Sequence, residues 1–183
     1  MPWYQLLKAV HFMGLIALAG AIIIYPRAGA RLRSATTLHD ARSWLGMLEL
    51  TRGMFHGGAA MMLATGAAMA GIQWRAPHAF IAVGMITLLL MWIGFAVTGS
   101  RHLRAIRAAI GSGEGPLPTS LAELIRARGP WTAMFAVNLS SLGVLVEMTL
   151  KLGWGGAIAL VLAFATLGLV AGVAVMRADQ TRA

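Results

Sequence analysis

The chain contains no cysteine, which excludes disulfides, thiolate metal centres, thiol nucleophiles and cysteine-attached haem. Acidic side chains are nearly as scarce. Six Asp and Glu stand against 15 Lys and Arg. Charged residues make up 11% of the chain, against roughly 25% in soluble domains. So few charges cannot cover a water-facing surface, and a hydrophobic content of 58% makes lipid the expected solvent for much of it. Also missing are a nucleotide-binding glycine loop, a metalloprotease motif and a nucleophile with a placed base. A soluble-type hydrolase or nucleotide enzyme is therefore not expected.

What is present is a set of five apolar stretches, each near the 20 residues that cross a hydrocarbon core of roughly 30 Å. They occupy residues 4–25, 53–72, 79–98, 131–150 and 154–176. Arg27, Arg31, Arg33, Arg42 and Arg52 lie between the first and second stretches, and Arg101, Arg104, Arg107, Arg126 and Arg128 between the third and fourth. Arg75 alone follows the second, and Lys151 alone the fourth. Because cytoplasmic loops collect Lys and Arg, the pattern predicts N-terminus out, C-terminus in, in a bacterial-type inner membrane. The start Met1-Pro2-Trp3-Tyr4-Gln5 has no basic region, and its apolar run continues past Ala17, Ala19, Gly20 and Ala21, so a retained helix is expected rather than a cleaved signal. A net charge of +9 suits nucleic acid in principle, but arginines placed in membrane-flanking loops suit anionic headgroups instead. No nucleic-acid partner is expected.

The fold class read from this pattern is all-α, a single membrane-embedded bundle over residues 1–183 with four core helices and one more. Trp3, Tyr4, Tyr25, Trp74, Trp131 and Trp154 mark the span ends, where aromatic rings prefer the headgroup layer, while Trp92 reads as a packing residue. Residues 36–50 carry Leu38, Leu45 and Leu48 at near-helical spacing with a polar side, an amphipathic segment that lies on the inner surface or extends the second span. Gly111 to Pro118 is a loop. The last two spans form a hairpin about Lys151, Leu152 and Gly153. Gly53, Gly57, Gly58, Gly66 and Gly71 allow close approach of the second span to a neighbour.

Ionisable groups inside a span are costly and are the first candidates for function. His11 lies about 10 Å into the first span at 1.5 Å per residue. Gly14 leaves a notch on its face, and Leu15 and Leu18 give it an apolar wall; such a notch suits the edge of a flat macrocycle, although a histidine bonded to a neighbouring helix is the plainer reading. His56 belongs at another depth and cannot share one metal with His11. Met69, Met85, Glu147 and Met148 fall near the level of His11. A thioether, Met85 or Met148, suits a second axial haem position, and the 12 methionines with an imidazole also suit Cu(I), while methionine more often fills gaps. Lys8 and Arg75 at the outer boundary suit haem propionates or lipid phosphates. Glu147 and Lys151, four apart, are expected to pair. Asn138, Ser140 and Ser141 suit bonds between helices.

The run Leu6-Leu7-Lys8-Ala9-Val10-His11, with Gly20 and Tyr25-Pro26-Arg27 on the same stretch, resembles the opening of HemJ-type protoporphyrinogen oxidases and the related small CopD-like membrane proteins. Pro77-His78-Ala79 resembles that family's third-helix His-Ala pair, and Lys151 falls where its fourth helix ends. The resemblance covers the first four spans. It implies a four-helix core holding haem b through His11, with Arg27 and His78 as further functional positions. Phe80 stands where the family carries lysine, so haem binding is implied more strongly than porphyrinogen oxidation, and an enzymatic activity is left open. Three readings follow: a haem b protein of electron transfer, alone or in a larger complex; a non-catalytic subunit packed against other membrane chains; and a copper transport or sensing protein.

Overall fold

In the computed structural model, which describes residues 2–73 and 78–181, helices α1 Pro2–Arg33, α2 Leu38–Gln73, α3 Ala79–Gly94, α4 Ser100–Ile110, α5 Thr119–Ile125, α6 Arg128–Leu150 and α7 Trp154–Gln180 follow one another. A π-helical turn, Phe95–Gly99, joins α3 to α4 without a break. Five of the resulting rods are long and apolar enough to cross a membrane. Their outer faces carry Ile16, Ile23, Ile86, Leu90, Leu162 and Val170, all exposed, as a lipid-facing surface requires.

The helices outrun a bilayer. At 1.5 Å per residue the 36 residues of α2 extend about 54 Å, well beyond a core of roughly 30 Å. The excess gathers at the arginine-rich end. There the amphipathic segment starting near residue 36 is the first part of α2 itself, so it extends the second span. Thr37 begins it: its Oγ1 accepts from the Asp40 N–H at 3.1 Å and donates to the Asp40 carboxylate at 2.9 Å, which satisfies an orphan donor of the first turn. Leu45, Leu48, Leu103, Ile106, Leu121 and Ile125 pack as a small buried core between α2, α4 and α5. The loop 111–118 is stitched to the start of α2 by Leu38 N–H to Gly115 O at 3.0 Å and Leu117 N–H to Thr36 O at 2.8 Å. Gly115, at φ 116°, takes a backbone conformation that only glycine adopts freely.

Aromatic rings at two presumed span ends are inside instead. Tyr25 and Trp131 are 3% and 2% exposed, because α1 continues for two more turns past Tyr25 and its last turn packs on α6. Trp131 donates Nε1–H to Ile125 O at 2.6 Å, and the Arg33 guanidinium lies 5.0 Å over its ring. Arg33 in turn binds Asp179 of α7 at 2.8 Å. Trp3 and Trp154 are exposed, Trp92 packs against the core, and Trp74 lies outside the described residues.

Small residues set the helix spacing. A side chain on Gly58 would meet the Gly14 carbonyl oxygen at 2.7 Å, and one on Gly14 would meet the Gly58 carbonyl oxygen at 2.9 Å. Helices α1 and α2 thus touch backbone to backbone. Of the other glycines of α2, Gly46, Gly53, Gly57 and Gly71 face open space and Gly66 faces the His11 ring, so close approach depends on Gly58. The α6–α7 hairpin is equally tight at Gly168, where a side chain would sit 2.7 Å from Phe135 O. Its turn is made by Lys151 in the left-handed conformation, φ 52°. Replacing Gly58 by leucine is expected to cost about 1–3 kcal/mol through overpacking, read as a lowered unfolding temperature of the purified protein in detergent, whereas Gly57→Leu should leave it unchanged.

Candidate functional site

The antiparallel pairing of α1 and α2 places Tyr4 beside Gln73, His11 beside Thr65 and Gly14 beside Gly58. Two residues of α2 therefore define the state of His11. The Thr65 hydroxyl has one proton, and it goes to the Met61 carbonyl oxygen of its own helix at 2.5 Å. Toward His11 Nδ1, 2.9 Å away, Oγ1 can only accept. The contact therefore fits an imidazole protonated on Nδ1, the arrangement in which a second group orients a ligating histidine.

Beside this imidazole lies a cavity of about 150 Å³. It is bounded by α1, α2, α3 and α6, and its walls are almost wholly apolar. Met62 and Met69 of α2, Met85 of α3 and Met148 of α6 line it together with His11. One histidine and four methionines thus line a single cavity. Gly84 of α3 lines it too, and the space a side chain would fill there is taken by the end of Met148 and bordered by Glu147 Oε2 at 3.6 Å. Glu147 is fully buried and neither carboxylate oxygen has a hydrogen-bond partner.

The candidates fall into two groups. His11, Met69, Met85 and Met148 meet at the cavity, with Glu147 behind Gly84. Gly14 does not: its open side is filled by Gly58, Met61 and Met62 of α2, so it is a helix-packing residue and no notch for a ligand. Lys8 is exposed, its Nζ 4.8 Å over the Tyr4 ring, and lines no part of the cavity. Arg27 is exposed near the arginine-rich end of α1, away from His11. His78 precedes α3, and Arg75 lies outside the described residues. The expected Glu147–Lys151 ion pair is not formed; among the described residues the ion pairs are Arg33–Asp179 and Arg107–Glu49. The left-handed backbone at Lys151 ends the helix and takes its side chain out of the i, i+4 geometry. Ser141 Oγ donates to Val137 O at 2.9 Å within its own helix and reaches Met91 Sδ at 3.5 Å across to α3.

Sequence reasoning passed over His102. It is 8% exposed, set edge-on to Trp131 at 5.7 Å, with Nε2 unpartnered. Its signal was its place four and eight residues before Ile106 and Ile110, on the buried face of α4. His56, also with an unpartnered Nδ1, packs on Phe95 at 5.4 Å and lines no part of the His11 cavity. Among the described residues no group of three His, Asp or Glu gathers as a hard-donor metal site.

Thr65→Val should leave the Nδ1–H of His11 without its acceptor at a cost of about 1–3 kcal/mol, while Thr65→Ser should be near neutral; thermal unfolding gives the cost, and nitrogen NMR of the labelled histidine gives the loss of a single tautomer. Compared with family models, with curated proteins and with solved structures, the chain has no match.

Proposed function

We propose that the chain is an integral membrane protein that binds one monovalent copper ion beside His11, as a sensing or delivery protein. The observation that supports this most is the meeting of one histidine, held by Thr65, and four methionines at one cavity. Cu(I) is a soft cation that favours such donors over carboxylate and water. An apolar cavity can hold it because imidazole and thioether are uncharged ligands that need no hydration of their own. His11 Nε2 is the strongest donor available, and Met62, Met69, Met85 and Met148 offer sulfur.

Haem b, which the HemJ-type resemblance implies, fits the cavity less well. A volume of about 150 Å³ is half the lower end of the roughly 300–1,000 Å³ found for cavities that enclose organic ligands. A macrocycle ligated by His11 would need the helices that line the cavity to move apart. A metal ion needs no such movement.

Orientation follows from the arginines. The extended, arginine-rich end belongs in the cytoplasm, which puts His11 and its cavity in the outer half of the bilayer. As the chain has no cysteine, single-cysteine variants test this directly. Gly153→Cys is expected to react with an impermeant thiol reagent on intact cells, and Gly113→Cys only after lysis; the reverse pattern would overturn the orientation.

The metal is tested on purified protein titrated with Cu(I) under anaerobic, reducing conditions. One equivalent should bind, with binding lost in His11→Ala and weakened by about 10–100-fold in Thr65→Val, the usual effect of removing the group that orients a ligand. Met85→Leu and Met148→Leu should each weaken it as well. A wild type that binds no Cu(I) would overturn the proposal; a Soret band from a haem-replete preparation would then restore the haem reading, and its absence would leave a packing subunit.

A further inference from the structure

Helices α3 and α6 run antiparallel, and contacts along their length fix the register. Gly84 lies against Met148, Ser141 Oγ is 3.5 Å from Met91 Sδ, and a side chain on Gly94 would touch Val137 at 4.0 Å. Of these pairs only Gly84 and Met148 border the cavity beside His11. Met62 and Met69 come to it from α2 and Met85 from α3, next in sequence to Gly84. Met148 comes from α6, and its methyl end lies where α3 lacks a side chain.

That overlap is severe. A Cβ on Gly84 would stand 2.1 Å from Met148 Cε and 3.6 Å from its Sδ, where carbons out of bonding contact settle at about 3.5–4.0 Å. The methyl and a Cβ cannot both be there. What would yield differs from the other tight glycines: at Gly58 and Gly168 the obstacle is a backbone carbonyl oxygen, so whole helices must part. At Gly84 the obstacle is the end of an unbranched side chain with three rotatable bonds, which turns away without moving a helix. Glu147 Oε2, 3.6 Å from the same point, is in ordinary contact and need not shift. Alanine is also a better helix former than glycine. A single methyl group at position 84 would therefore leave the bundle intact and relocate one sulfur.

We infer that Gly84 is a positioning residue of the site: its missing side chain seats the Met148 thioether on the cavity and so brings α6 into the ligand set. This rests on the copper reading. A methionine held in one rotamer before the ion arrives has already lost the freedom that ligation would otherwise cost. With alanine at position 84, Met148 keeps its sulfur but not its place.

The test uses the full-length protein in detergent, titrated with Cu(I) alone under anaerobic, reducing conditions. Gly84→Ala is expected to weaken binding by about 10–100-fold, as removal of a group that orients a ligand does, and by the same factor as Met148→Leu. The double variant Gly84→Ala/Met148→Leu should bind as Met148→Leu does, because both changes remove one interaction. Gly94→Ala, on the same helix and away from the cavity, should bind as the wild type. In metal-free protein with carbon-13 methionine methyls, the Met148 resonance, identified by its loss in Met148→Leu, should move in Gly84→Ala while those of Met62 and Met69 stay. A Gly84→Ala protein that binds like the wild type, that leaves the Met148 resonance unmoved, or whose effect multiplies with that of Met148→Leu overturns this inference and leaves the copper site standing. A wild type that binds no Cu(I) overturns both. Should Gly84→Ala alone fail to fold, the double variant, in which the clash is gone, decides: binding equal to that of Met148→Leu upholds the inference and weaker binding overturns it.

Discussion

The backbone contact between Gly14 and Gly58 governs what the rest of the bundle can do. It holds α1 and α2 close enough for each carbonyl to meet the other helix, and it fixes their register. With that register set, Thr65, two turns beyond Gly58, falls opposite His11, one turn before Gly14, and a side chain on Gly66 would touch the imidazole at 3.6 Å. In lipid there is no hydrophobic force between helices to rescue a looser fit, so association depends on packing of this kind and on polar contacts between helices. The Thr65–His11 hydrogen bond is such a contact. It binds the helices and, in the same act, orients the imidazole.

Helices and spans were legible because each is a long apolar run with charged flanks, a signal that survives without knowledge of neighbours. What the sequence could not reveal was which neighbour a given side chain meets. Gly14 reads locally as a recess beside His11, yet the recess belongs to α2. Tyr25 and Trp131 read as headgroup anchors because arginines follow or precede them closely, but α1 runs on for two turns past Tyr25 and packs on α6, which takes both rings into the interior. Glu147 and Lys151 satisfy the spacing of a helical pair, and the pair fails because the helix stops between them. By contrast Met69, Met85 and Met148 were placed near His11 by depth alone, and depth follows from span boundaries; their meeting at one cavity needed only that the helices carrying them be neighbours.

Charge is distributed to match this division. The arginine-rich end holds its buried cation, Arg33, between Asp179 at 2.8 Å and the Trp131 ring at 5.0 Å, and the backbone carbonyl of Arg33 accepts from Arg126 Nε–H at 3.2 Å. A buried charge treated in that way is structural, tying α1 to α5, α6 and α7. Glu147 receives none of this. Arg33 and Glu147, both buried, are thus handled in opposite ways: the first is held by partners from other helices, and the second has no hydrogen-bond partner for either oxygen.

The interior between these two ends is closed by rings. Trp92, His56, Phe95, Tyr25, Trp131 and His102 follow one another with centroids 6.2, 5.4, 5.4, 6.1 and 5.7 Å apart, and Phe55 stacks on Phe95 at 4.7 Å. Aromatic contacts at these separations are mutually attractive, and they occupy the bundle axis from the level of the π-helical turn to the arginine-rich core. None of these rings lines the cavity beside His11, so the column and the cavity are separate parts of the interior: the first is filled by mutual ring contacts, and the second is left open between α1, α2, α3 and α6.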